Sequence, residues 1–457
     1  MRGILKPLQG PAPPDTAHTV AIAVNDGRLL DYFERYGALR YPWLWEQLRA
    51  QLETRQSDPS VLLVDLKRRC LVSDDPGGHS LFSRILEEFL TEARWATCER
   101  CVARMECPIK FNADSLRDET LGLVVRQRLH SLLLAIHLRR EYRPTVRDLR
   151  SALSYLITCD VGCEEIHTQR RSGNSPIAEP GRLYFQTAFN GSGGPDLLLD
   201  EWTLLDPAGT PRPRLDRFLH FHRSRDQSER VRETLLRPAR RCNPPLLTDP
   251  EWLGGEWRRT MKRRYFFEAD WSAEVTRRWE LPDPEDLLPH RHMIEFAKIL
   301  SARASGSALR DRVARGISRA DGVPDAVSRD ALALRLTETG SEDLTVVKLF
   351  PLGEFRCRGT PTAAGLVEEI PDQFLFEHVT GAPSLSIGLD LFELLARMAE
   401  GYLPGAEEQA SLIQDIIEFK NQLLARPSQE VALVEGGQRI HRIDSREGKI
   451  RRVETPR

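Results

Sequence analysis

The chain has 457 residues, of which 40% are hydrophobic and 29% are charged, a balance that is typical of about two to four globular domains. The net charge of −2 argues against a protein whose whole surface binds nucleic acid, and no apolar run is long enough to span a membrane. The first residues lack a secretory signal pattern. We therefore expect a cytoplasmic protein, in which clustered cysteines are more often metal ligands than disulfides.

Two short apolar runs near the N-terminus have the pattern of buried strands. Residues 19–25 and 60–65 are continuously apolar and are separated by helical sequence. Such runs are typical of strands that are covered on both faces of a parallel sheet. Residues 1–90 are therefore predicted to contain the remnant of a parallel α/β sheet.

The remainder of the chain divides by composition into three further regions. Residues 91–170 have amphipathic helical spacing and predict a helical lid that contains a cysteine cluster. Residues 171–330 are mainly helical and basic, and residues 331–457 form an α+β region. In that last region we predict strands at 344–350 and 373–379 and a β-meander over 431–453. The predicted fold class is α+β and mainly helical.

The strongest chemical signal is the motif Cys-x2-Cys-x5-Cys-Pro, formed by Cys98, Cys101 and Cys107. A Cys-x2-Cys pair can place two thiolates on one metal ion from a single turn, and a third thiolate nearby strengthens this interpretation. The alternative is that the thiols are buried and unligated, as free cysteines often are. We favour a structural zinc site.

A structural zinc ion needs a fourth ligand from elsewhere in the chain. Cys163 is the first choice, because it follows a glycine in a loop after two helices that return the chain toward the motif. Cys159, His167 and Cys70 are the alternatives. The predicted ligand set is therefore Cys98, Cys101, Cys107 and Cys163, and the predicted role is a structural staple.

The same cysteine spacing resembles the iron–sulfur element of RecB-type and CRISPR-adaptation nucleases. In those nucleases three cysteines act together with one distant upstream cysteine, a position that Cys70 matches here. Asp65 and Lys67 are similar to the Asp/Glu-x-Lys motif of that fold. This resemblance implies a 4Fe-4S cluster as the alternative to zinc, and a nuclease-like or nucleic-acid-binding function.

Two other segments resemble parts of an AAA+ ATPase. Residues 19–30, in which an apolar run ends at Asn25, are similar to the sensor-1 region. Residues 145–153 are similar to the sensor-2 helix, with Arg147 matching its arginine and Arg150 as second choice. The resemblance covers about residues 15–165. It implies that Asn25, Arg147 and Arg150 contact the phosphates of a nucleotide.

The phosphate-binding loop of such ATPases does not occur in this sequence. No Gly-x4-Gly-Lys-Ser/Thr motif is found, and only 18 residues precede Thr19. The resemblance therefore implies the C-terminal part of a STAND-like P-loop ATPase, as a truncated reading frame or a partner subunit, that does not hydrolyse ATP alone. It would act through protein partners, among them a P-loop-bearing subunit, in a bacterial defence or signalling assembly.

A basic stretch supports the rival hypothesis of nucleic-acid binding. Residues 212–264 contain Arg240, Arg241, Lys262, Arg263 and Arg264. Such a stretch can follow a phosphate backbone, although a solvated helix face is the more common explanation.

Overall fold

A computed structural model gives the architecture. It describes residues 2–13, 19–54, 61–66, 69–73, 79–140, 142–178, 180–191, 197–220, 255–269, 280–302, 306–336, 344–360, 369–403, 405–428, 430–435, 439–444 and 451–453. The chain forms two compact units. One comprises residues 1–69 and 362–369, and the other, the main unit, comprises residues 70–361 and 370–457.

The N-terminal unit is helical. Its helices are α1 (Arg2–Leu5), α2 (Asp26–Arg40) and α3 (Pro42–Thr54). Pro42 begins α3, as its fixed φ allows in a first helical turn. The rings of Phe33 and Trp45 stack with their centroids 5.6 Å apart, and Phe33 is buried together with Tyr41 and Leu44. A small aromatic core therefore holds α2 against α3.

The predicted parallel sheet is not supported. Residues 19–25 and 62–65 form no strand, and the side chains of Leu62 and Leu66 are 61% and 67% exposed. A strand must pair its backbone groups with a neighbouring strand, and the described part of this unit provides none beyond an isolated bridge at Val61. The apolar runs were therefore misleading, because apolar composition alone does not create a pairing partner.

The main unit is built on a layer of helices around one large apolar core. Its helices are α4 (Leu81–Leu90), α5 (Glu92–Trp95), α6 (Pro108–Arg117), α7 (Leu121–Arg139), α8 (Val146–Thr158), α9 (Cys163–Arg171), α10 (Tyr184–Thr187), α11 (Leu197–Leu204), α12 (Pro213–His220), α13 (Gly255–Glu268), α14 (Met293–Ser301), α15 (Ser307–Ala320), α16 (Leu389–Ala399) and α17 (Ala406–Leu424). Helix α7 is buried over most of its surface, with Val125, Leu129 and Leu132 fully buried. It packs against α6, α13 and α16.

Both sheets of the main unit are antiparallel. The strands are β1 (Ala331–Arg335), β2 (Leu344–Pro351), β3 (Phe355–Gly359), β4 (Phe374–His378), β5 (Ser384–Ile387), β6 (Glu430–Glu435), β7 (Arg439–Asp444) and β8 (Arg451–Val453). Their order is β1-β2-β6-β7-β8 in one sheet and β3-β4-β5 in the other. The predicted strands at 344–350 and 373–379 and the predicted C-terminal meander are confirmed.

The α+β, mainly helical fold class is also confirmed. What differs from the prediction is the position and direction of the strands, which all lie after residue 330 among the described residues and pair antiparallel. Within the part of the chain that the structure describes, every helix is too short or too polar to cross a bilayer.

Candidate functional site

The cysteine motif lies in the connection between α5 and α6. Cys98 belongs to a 3-10 turn over Ala96–Arg100, and the amide of Cys101 donates to the carbonyl of Cys98 at 3.2 Å. Cys107 is the N-cap residue of α6, and Pro108 begins that helix. The Cys-x2-Cys pair therefore shares one tight turn, and the third thiol stands at the start of the next helix.

Helix α9 packs against this connection through one face. Cys163, His167 and Arg170 are spaced by four and then three residues, which places them on one side of the helix. The Nε2 of His167 lies 3.5 Å from the Sγ of Cys101, and the Nε of Arg170 lies 3.4 Å from Oε2 of Glu106. These contacts hold the Cys163-bearing face of α9 beside the cysteine motif.

The thiols influence one another electrostatically. Burial raises the pKa of Cys98, and the neighbouring thiols of Cys163 and Cys101 raise it further. Burial also raises the pKa of Cys107, where backbone amides at the start of α6 oppose the shift and Cys163 and Cys98 add to it.

The prediction of a zinc-binding, metal-binding protein is wrong. Among the described residues, no group of three or more histidine, cysteine, aspartate or glutamate side chains could hold a metal ion. Zinc needs deprotonated thiols that converge on a tetrahedral point. The described thiols do not form such a group.

Cys159 and Cys70, the alternative cysteines for the fourth ligand, each pack within the fold. Cys159 ends α8 in the left-handed conformation with φ 56°, and its thiol donates to the carbonyl of Arg182 at 2.7 Å. Burial raises its pKa to about 12. Cys70 is buried in the main core, and burial raises its pKa to about 11. Both thiols behave as small core side chains.

Asn25 has a local structural task. Its side chain accepts a hydrogen bond from the amide of Gly27 at 3.0 Å and so caps the N-terminus of α2. The residue is exposed and follows an extended, exposed segment. Asparagine is among the preferred N-cap residues, and this accounts for its position.

Arg147 and Arg150 line an open groove between α4 and α8, which has a volume of about 980 Å³. Both arginines are exposed on α8, on the same face as Ser151 and Ser154. Helix α8 begins with a capping box, in which Thr145 Oγ1 accepts from the amide of Asp148 and Asp148 accepts from the amide of Thr145. This cap fixes the first turn, from which Arg147 projects.

The opposite wall of the groove comes from α4 and α5. It is lined by Arg84, Arg94, Glu88, Ile85 and Phe89. Glu88 is 3.6 Å from Arg94, and both side chains are well exposed. The groove therefore has four arginines against one glutamate, with apolar surface between them, in a chain whose net charge is −2. The sequence singled out Arg147 and Arg150, but it could not show that α4 and α5 bring Arg84 and Arg94 beside them.

The basic stretch at 212–264 is different in character. Residues 221–254, including Arg240 and Arg241, lie outside the described residues. Lys262 and Arg263 are buried and paired, with the Lys262 Nζ 2.8 Å from Asp216 and the Arg263 Nη2 2.8 Å from Asp206. These two cations form buried ion pairs within the fold and do not contribute to a basic surface.

Arg264, the third cation of that run, lies in a buried network that sequence patterns did not indicate. Its Nη2 is 2.7 Å from Glu268, and the Tyr184 hydroxyl donates to the same carboxylate at 2.7 Å. Burial raises the pKa of Glu268, and the guanidinium of Arg264 opposes that shift. Tyr184 is 84 residues from Glu268, so only the fold brings the two together.

Comparison of the chain with protein-family models, with curated proteins and with solved structures found no match. The resemblances to AAA+ ATPases and to RecB-type nucleases stay predictions.

Proposed function

We propose that the protein binds nucleic acid, and that the groove between α4 and α8 holds the phosphate backbone. The observation that carries this proposal is the convergence of Arg84, Arg94, Arg147 and Arg150 around one open groove. Arginine is suited to phosphate because its planar guanidinium presents several donors in a fixed fork.

The walls of the groove also support a polymer of nucleotides as the ligand. Ile85 and Phe89 provide apolar surface next to the arginines. Aromatic side chains in such grooves can stack against bases. Ser151 and Ser154 add hydroxyl donors along α8. Nucleic-acid binders without sequence specificity combine side chains that donate hydrogen bonds to phosphate with adjacent apolar surface.

This proposal takes over two residues from the AAA+ resemblance and omits the third. Arg147 and Arg150 contact phosphate in both interpretations, whereas Asn25 serves as a helix cap here. Action through protein partners, including a P-loop-bearing subunit, stays a prediction. The four arginines that converge on the groove are the specific observation that favours nucleic acid as the ligand.

The test is binding of a fluorescent oligonucleotide, measured by anisotropy, to the whole protein and to the double variant Arg147→Ala/Arg150→Ala. We expect binding by the wild-type protein. The double variant should bind at least about tenfold more weakly, since a hydrogen bond to a charged group contributes about 1.5 kcal/mol or more. Both arginines are exposed, so the substitutions should leave the fold intact.

The matched control replaces two exposed arginines elsewhere in the main unit, Arg315 and Arg329, with alanine. This control removes the same charge and should retain wild-type affinity. Equal losses in both double variants would point to general electrostatic attraction and would contradict the proposed groove. Binding of ATP without binding of any oligonucleotide would favour the AAA+ prediction instead.

A further inference from the structure

A thiol and an imidazole lie together at the edge of a second pocket. The Sγ of Cys101 and the Nε2 of His167 are 3.5 Å apart, and both residues are partly exposed. His167 lines a pocket of about 660 Å³ together with Glu106, Arg170 and Arg171. A thiol beside an imidazole is the arrangement that produces a reactive thiolate, because the imidazole accepts the thiol proton.

Cys98 stands where it can complete a disulfide with Cys101. The hydrogen bond from the Cys101 amide to the Cys98 carbonyl closes a tight turn. The Cα atoms at the ends of such a turn are less than about 7 Å apart. Disulfides need a Cα separation of about 4.4 to 6.8 Å. The Cα separation of this turn is therefore compatible with a Cys98–Cys101 disulfide.

We propose that Cys101 is an oxidisable thiol that reacts with hydroperoxides, and that Cys98 then forms a disulfide with it. This inference is independent of the groove between α4 and α8. It rests on the Cys101–His167 contact, on the turn that joins Cys98 to Cys101, and on the adjoining pocket.

The chemistry balances in two steps. His167 takes the proton of Cys101, and the thiolate attacks one peroxide oxygen, so that an S–O bond forms and the O–O bond breaks. The leaving oxygen takes a proton and departs as an alcohol or as water, which leaves a sulfenic acid on Cys101. The thiol of Cys98 then attacks that sulfur, the S–O bond breaks, water leaves, and the disulfide forms. The hydroperoxide is the oxidant, and two thiols are oxidised by two electrons.

Other cysteines of the same chain serve as internal controls. Burial raises the pKa of both Cys159 and Cys357 to about 12, so both remain protonated at neutral pH. A protonated thiol is a poor nucleophile. Oxidation should therefore discriminate between Cys101 and these two residues within one sample.

The experiment exposes the reduced, full-length protein to hydrogen peroxide in the presence of dimedone, which traps sulfenic acids, and identifies the products by peptide mass spectrometry. Trypsin cleaves after Arg100, so a Cys98–Cys101 disulfide joins two separate peptides. We expect that disulfide in the wild-type protein and a dimedone adduct on Cys101 in the Cys98→Ser variant. Cys159 and Cys357 should stay unmodified over the same period.

The role of His167 is tested by the rate of oxidation. His167→Asn should slow oxidation of Cys101 about tenfold, because the variant lacks the base that takes the thiol proton. His441→Gln, which alters a histidine on β7, should leave the rate unchanged.

Three results would overturn the proposal. One is the absence of an adduct on Cys101 in Cys98→Ser, and another is oxidation of Cys159 or Cys357 as fast as that of Cys101. The third is a purified protein whose motif thiols are blocked by a bound metal. The oxidation of Cys101 relative to Cys159 and Cys357 in the wild-type protein tests the proposal even if the His167→Asn variant does not fold.

Discussion

Some buried side chains in the main unit are charged, and each of these charges is compensated by one oppositely charged partner. Arg264 and Glu268 are both buried, and Tyr184 donates to the same carboxylate. A buried ion pair contributes little net stability relative to an apolar replacement, but loss of one partner leaves an uncompensated buried charge. Arg264 and Glu268 should therefore respond to substitution as a unit.

We predict that Glu268→Gln lowers the free energy of unfolding by about 3 to 5 kcal/mol, because the Arg264 guanidinium is left buried without its counter-charge. The double variant Arg264→Met/Glu268→Gln should be more stable than the single variant, since it removes both charges and keeps an acceptor for Tyr184. Urea denaturation followed by circular dichroism measures both.

The control for this prediction is an exposed pair. The carboxylate of Asp325 is half exposed and bonded to Arg319. Asp325→Asn should cost less than about 1 kcal/mol, as exposed ion pairs do. If the double variant at Arg264 and Glu268 is less stable than Glu268→Gln, Arg264 is not an uncompensated charge in the single variant and our interpretation fails.

A second residue-scale prediction concerns pH. Burial lowers the pKa of His290 to about 4, and the nearby Arg139 adds to the shift. The carboxylate of Asp390, 3.6 Å away, does not offset it. The folded protein therefore binds fewer protons at this residue than the unfolded chain does. Stability is full above the unfolded pKa of 6.5 and is lost as the pH falls from 6.5 toward 4.

The expected loss is up to about 3 kcal/mol over that interval. It is measured as the difference in unfolding free energy between wild type and His290→Gln at a series of pH values. The variant should show a flatter dependence, whereas His441→Gln should follow the wild-type curve. Parallel curves for the wild type and His290→Gln would contradict the assignment.

Residue patterns in the sequence predicted some of these features and could not predict others. The spacing of Cys98, Cys101 and Cys107 drew attention to one loop, but a metal site depends on how thiols converge, and spacing does not determine that. The basic run at 262–264 was ambiguous for the same reason. Its acidic partners include Asp206 and Asp216, which lie about fifty residues upstream, and only folding brings them near.

At the scale of elements, helices α15 and α16 of the main unit pack in unusually close contact. A Cβ added at Gly316 of α15 would lie 2.5 Å from the carbonyl oxygen of Leu395 on α16. Real Cβ atoms do not approach a backbone oxygen so closely. Glycine is therefore required for these two helices to pack at their observed separation.

We predict that Gly316→Ala destabilises the protein by about 1 to 3 kcal/mol, because the helices must separate to admit the methyl group. This cost exceeds the gain of about 0.5 to 1 kcal/mol that alanine brings to a helix interior. Gly353→Ala is the control, since a Cβ there meets no atom within 4 Å. Thermal or urea denaturation gives both values, and an unchanged or higher stability of Gly316→Ala would refute the close contact.

Elements with strong local signals were predictable from sequence. The apolar alternation and turn residues of the C-terminal region gave β2, β4 and the meander of β6, β7 and β8. The apolar run at 19–25 failed, because a strand requires a partner and that partner is not a local property. Local periodicity thus specifies elements, whereas pairing is decided by the rest of the chain.

At the scale of the whole molecule, the proposed binding depends on local charge and not on the net charge of the chain. The chain has a net charge of −2, so its overall field does not attract nucleic acid. Four arginines of α4, α5 and α8 nevertheless share one groove. The sequence could not predict this groove, because two of its arginines are separated from the other two by about fifty residues and by the helices α6 and α7.

The most direct test is the salt dependence of oligonucleotide binding. If four arginines neutralise phosphates, the logarithm of the association constant should fall against the logarithm of salt concentration with a slope of about −3. The Arg147→Ala/Arg150→Ala variant should show about half that slope, because it releases fewer counterions. A wild-type slope near zero, or an unchanged slope in the variant, would contradict the proposed function.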